Sequence, residues 1–169
     1  MQPIPSPNIE RPVIMRPVQY AGFWRRFVAY IIDSIIVGFA AFIIILPAIG
    51  LLGVGIGVGI TEDSEAGLGL IIAAIASYVF GILVIVIATW LYFALMESSN
   101  KQATLGKLAL GIIVTDMNGG RISFGRATGR YFGKILSGMI FMIGYLMAAF
   151  TEKKQALHDI MASCLVVMK

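Results

Sequence analysis

The chain has 169 residues, 59% of them hydrophobic and 13% charged, with a mean hydropathy of +0.90 and a formal net charge of +4. Soluble domains carry about 25% charged residues, so this composition excludes an ordinary water-solvated fold and predicts an integral membrane protein. One cysteine (Cys164) and one histidine exclude an internal disulfide and a cysteine-built metal cage, and neither a metal nor a cofactor is expected.

Residues 1–22 read as a flexible arm of prolines spaced by polar residues, and the long anchor behind it does not resemble the short apolar core of a cleavable signal peptide. The first membrane helix is predicted over about 24–48, with Trp24 at the interface and Pro47 marking a kink or end. The following glycine-alternating run to Gly59 is either a lipid-skimming loop or a loose helix end. Asp33 is the only charge between Arg26 and Glu62, and a lone carboxylate at membrane depth calls for a partner or a task. Arg26 lies seven residues earlier, within about 20° of the same helix face, and is the expected partner.

A second span is predicted over about 68–95, ending in Trp90 and Tyr92. Ala73, Ser77 and Gly81 place a small residue at every fourth position, a groove for close helix packing. Glu97 follows as a surface pair for a downstream cation. In the next region Thr104 is expected to cap a short helix containing Lys107. Strands 112–115 and 121–124, joined through Asp116, Asn118, Gly119 and Gly120, are expected to form a hairpin, with an irregular loop as the alternative.

Gly125, Gly129 and Gly133 then form a smooth ridge beside Arg126, Arg130 and Lys134. The first suits helix packing, and the second suits contact with lipid phosphates or loop carboxylates, or else the guiding of ions. A third apolar segment, about 132–150, is short. It either crosses the membrane, or is re-entrant and returns the tail so that residues 165–168 pair with the 112–124 region. The fold class is thus an α-helical membrane protein with two spans, a third short or re-entrant segment and a small cytoplasmic β-hairpin.

Charge predicts orientation. The arm carries Arg11, Arg16, Arg25 and Arg26 against Glu10, the first loop carries Glu62, Asp63 and Glu65, and 97–134 is basic. By the positive-inside rule the N-terminus and the 97–134 region are cytoplasmic and the acidic loop is external. This is the pattern of a multi-pass membrane protein, and nothing in it suggests nucleic acid.

Four blocks carry a family resemblance: YAGFWRRFVAYIIDSII (20–36), YFALMESS (92–99), ATLGKLALGIIVTDMNGG (103–120) and QALHDIMASCLVV (155–167). In this order they resemble the bacterial RDD family, named for an arginine and two aspartates, with Arg26, Asp33 and Asp159 in those places and residues 23–169 as the domain. Ser163 and Cys164 stand where the family commonly has Gly-Thr. Some members are associated with sodium–proton antiport, so the resemblance implies an ion-coupled transporter of alkali cations and protons.

On physical grounds Asp33 with Arg26, and Asp159 with His158, are the expected titrating groups, because burial and a nearby arginine shift a carboxylate in opposite directions. The alternative is a non-catalytic scaffold or accessory subunit whose charges are structural. An enzyme is not expected: the glycine run lacks the lysine and the strand–helix context of a phosphate loop. Two or three spans do not enclose a path alone, so a homo-oligomer in the lipid bilayer is expected.

Overall fold

The computed structural model describes residues 18–61, 64–139 and 143–169. Most of the N-terminal arm, with Glu10, Arg11 and Arg16, lies outside the described residues, as do Glu62 and Asp63 of the acidic loop. Two long helices dominate, α1 (Phe23–Thr61) and α2 (Ser64–Ser98), each long and apolar enough to cross a membrane. At 1.5 Å per residue α1 is roughly 58 Å long, well beyond the ~30 Å hydrocarbon core of a bilayer.

The helix does not stop at Pro47, and the glycine run after it is helical. Gly55 and Gly59 of this run pack closely against α2. A Cβ built on Gly67 would lie 2.9 Å from the Gly55 carbonyl oxygen and closer still to the Gly59 backbone. Higher up, one on Gly81 would meet Ile45 Cδ1 at 3.0 Å. The glycines let α1 and α2 run antiparallel with their backbones nearly touching. The buried row on α2 is Gly67, Ala74 and Gly81, one residue per heptad, whereas Ala73 and Ser77 of the predicted ridge are exposed. The remaining surface of both helices is apolar and exposed, including Ile35, Phe39, Ile72 and Phe80.

The short helix α3 (Leu105–Ala109) leads into β1 (Ile112–Asp116). Asp116 turns the chain as expected, accepting the Asn118 and Gly120 N–H groups at 2.9 and 2.7 Å, with Gly119 at φ +84°. The segment 121–124 does not become the second strand. That edge of β1 is occupied by Gln102, whose carbonyl takes the Val114 N–H at 2.7 Å and whose side-chain amide donates to the Val114 carbonyl at 3.1 Å. The partner is instead β2 (Cys164–Met168), antiparallel, with Val114 opposite Val166. Tyr20 bridges to Val167 on the far edge of β2.

Between the strands lie α4 (Phe124–Met139), α5 (Ile143–Phe150) and α6 (Leu157–Met161). The third apolar segment is thus a sharply bent helix pair, α4 and α5. The chain end meets the first described residues: the Met168 N–H donates to the Gln19 carbonyl at 2.8 Å and the Ala21 N–H to the Val166 carbonyl at 2.9 Å. Both ends of the described chain therefore lie at the same end of the α1–α2 pair. The buried apolar core sits there too, around Ala21, Ala29, Ala94, Ile112, Ile122 and Val166.

Candidate functional site

A buried charged cluster joins the helices to that sheet. Glu97, at the end of α2, is fully buried rather than a surface group. Its Oε2 faces Arg130 Nε at 3.1 Å, and Oε1 meets Lys134 Nζ at 3.2 Å and the Lys107 ammonium. Arg130 is itself 1% exposed and bridges onward, its Nη1 lying 3.0 Å from Asp159 Oδ1. Arg26 closes the chain by donating to Asp159 Oδ2 and, from Nε, to the Ala21 carbonyl at 3.0 Å. Asp159 Oδ2 also accepts the Ala156 N–H at 3.1 Å, which fixes the first turn of α6.

Arg26 and Asp33 do not pair. Seven residues of helix separate them by about 10 Å along the axis, and helical side chains lean toward the N-terminus, so Arg26 points away from Asp33. Asp33 is held by neutral donors instead: the Tyr92 hydroxyl at 2.8 Å, the Thr104 hydroxyl at 2.5 Å and the Gly106 N–H at 2.8 Å. Thr104 occupies the position before α3 but caps nothing itself; Asp33 accepts the orphan N–H in its place. Gly106 permits this approach, since a Cβ there would fall on the Ala29 carbonyl oxygen and 2.9 Å from Asp33 Cγ.

His158 is buried against Ser137 Oγ (3.4 Å to Nδ1), Asp159 (3.4 Å from Nε2) and the Tyr145 ring. Burial outweighs the Asp159 charge and pushes its pKa down from 6.5 to about 3, so it is neutral at physiological pH and does not titrate there as expected. The Asp159 carboxyl is held well below the usual carboxylate range: burial raises it, but Arg130 and Arg26 overcome that. Burial lowers Lys107 to about 8 against the opposing pull of Glu97. Cys164 is a buried core thiol raised by desolvation.

Of the predicted residues, Arg26, Asp159, His158, Arg130 and Lys134 converge, with Gly133 letting α6 approach α4 (His158 Cβ would lie 3.0 Å from a Cβ there). Arg126, Gly125 and Gly129 lie on the exposed face of α4, so the cationic stripe splits between core and surface. Sequence reasoning missed the central role of Glu97 and the contributions of Tyr92, Thr104 and Lys107. One signal was available: Glu97 is the only charge between Glu65 and Lys101, the same isolation that singled out Asp33.

A cavity of about 390 Å³ opens beside the cluster, lined by Arg26, Asp33, Lys107, Arg130, Lys134 and His158 and walled by Phe27, Tyr30, Phe93 and Leu146. Among the described residues no group of three or more histidine, cysteine, aspartate or glutamate side chains is arranged to hold a metal ion.

The sequence model of the RDD family matches residues 20–163. The chain is 41% identical to the Bacillus subtilis (strain 168) uncharacterized protein YxaI over 152 residues, covering 88% of this chain and 97% of that one. It is 29% identical to the uncharacterized membrane protein YteJ of the same organism, covering 88% and 80%. No solved structure matches.

Proposed function

The chain belongs to the RDD family of membrane proteins, and on that premise we propose that it is a multi-pass scaffold or accessory subunit whose Arg–Asp–Asp network is structural. One observation carries this reading: each buried carboxylate is already surrounded by cations or hydrogen-bond donors. Asp33 accepts three neutral donors, Glu97 faces three cations, and Asp159 faces two arginines and a backbone N–H. An alkali cation needs oxygen ligands, and here it would have to displace positive charges or hydrogen-bond donors. Stripping one partner from such a buried network costs about 3–5 kcal/mol, which favours fixity over turnover.

The basic arm and 97–134 region support a cytoplasmic position for the sheet in a bacterial inner membrane. The exposed small residues Ala73 and Ser77 support helix contact with a second copy.

Cation/proton antiport is the second reading. It is favoured by Lys107, a buried ammonium in the cavity that releases its proton near pH 8. Proteoliposomes decide between them, with internal pH recorded on addition of Na⁺, K⁺ or Li⁺. The structural reading expects no cation-driven proton movement, and a lower melting temperature for Asp33→Asn, whose amide offers one acceptor to three donors. Flux by wild type that Asp33→Asn abolishes in a still-folded protein would replace it with antiport.

A further inference from the structure

We infer that the 390 Å³ cavity is a binding site for the phosphate headgroup of an anionic phospholipid. Four cationic side chains line it, Arg26, Lys107, Arg130 and Lys134, against one carboxylate, Asp33. The counter-charges Glu97 and Asp159 are not among the lining residues, and the cluster as a whole sets four cations against three carboxylates, Asp33, Glu97 and Asp159. Arg130 Nε and Nη1 make no hydrogen bond but lie in ion pairs at 3.1 and 3.0 Å, which leaves one guanidinium nitrogen of Arg26. Arg26 uses Nε on Ala21 and Nη1 on Asp159, but Nη2 is buried with no hydrogen-bond partner among the described residues. An orphaned, buried guanidinium N–H is costly, and a phosphate oxygen is its natural acceptor.

The apolar wall identifies the source as lipid rather than free phosphate. Phe23, Phe27 and Tyr30 descend one face of α1, and beyond them the helix surface continues as exposed Ile31 and Ile35. A headgroup seated on Arg26 therefore has acyl-chain contact laid out along the same helix, whereas inorganic phosphate gains nothing from that surface. Ligand cavities span about 300–1,000 Å³, and this one is at the headgroup end of the range. The inference is independent of whether the protein transports ions.

Two substitutions test it. Arg26→Lys keeps a cation for Asp159 but removes Nη2. Gly138→Leu fills the cavity from α4, where an added Cβ meets nothing within 4 Å and no ion pair is touched. Full-length protein in detergent is titrated with phosphatidylglycerol, phosphatidylcholine or inorganic phosphate, and bound lipid is counted by native mass spectrometry. The expected result is one saturable phosphatidylglycerol per chain, preferred over phosphatidylcholine, and weakened about tenfold or more in both variants, with the melting temperature unchanged in Gly138→Leu. Equal retention of the two lipids, or undiminished binding by folded Gly138→Leu, would overturn it. Displacement of phosphatidylglycerol by equimolar inorganic phosphate would also overturn it, by making this a free-anion site.

Discussion

At the scale of the residue, burial decides what each charged group does. Glu97 and Asp159 remain anionic because arginines and lysines surround them, and Arg130 serves both carboxylates at once. His158 shows the opposite outcome: it lies next to Asp159 but is too dry to hold a proton. Its folded pKa lies below its unfolded value, so the unfolded chain binds the extra proton between those pKa values. Stability from this group is complete above pH 6.5 and is lost as pH falls toward about 3. The melting temperature in detergent should therefore drop between pH 6.5 and 4, and His158→Gln should flatten that slope. A wild-type profile already flat across the window would contradict the assignment. Ser163 has φ +51°, a left-handed backbone that favours glycine.

At the scale of the element, close approach outranks intrinsic propensity. A proline and a glycine-rich run usually end a helix, yet α1 continues through both, and Gly55 and Gly59 of that run pack against Gly67 of α2. Gly67→Ala tests this directly. Its methyl group has to displace the Gly59 backbone, so the α1–α2 hairpin should open and the protein lose about 2–3 kcal/mol, read as a fall in thermal midpoint. Gly69→Ala, in open space two residues on, should have almost no effect. An equal response of the two would mean that the hairpin does not depend on backbone contact. The same logic explains the strand pairing: β1 takes β2 because Gln102 already occupies its other edge.

At the scale of the whole molecule, both ends of the described chain meet in one small sheet, and this gives a topological prediction. Val18 and Lys153 are both exposed, and the native Cys164 is fully buried. Val18→Cys and Lys153→Cys should therefore react with a membrane-impermeant maleimide from the same side, the cytoplasmic one if the positive-inside rule holds. Labelling of the two from opposite faces would mean that the α4–α5 pair crosses completely and the chain end does not return.

The sequence by itself determined the solvent, the two long spans, the family and the identity of most charged residues in the cluster. Those follow from composition, from runs of apolar residues and from the isolation of single charges, all of which are local. It also raised the pairing of residues 165–168 with the 112–124 region, but as one of two ways for the chain to end. Only the tertiary structure decided which charge meets which. Arg26 and Asp33 share a helix face, but side-chain tilt and axial distance keep them apart, and their real side-chain partners include Asp159 of α6 for Arg26 and Tyr92 of α2 and the α3 region for Asp33, 59 or more residues away. Helical spacing ranks neighbours within one helix. It carries no information about a strand or helix that folds back from the far end of the chain, and in this protein those returning segments supply the partners.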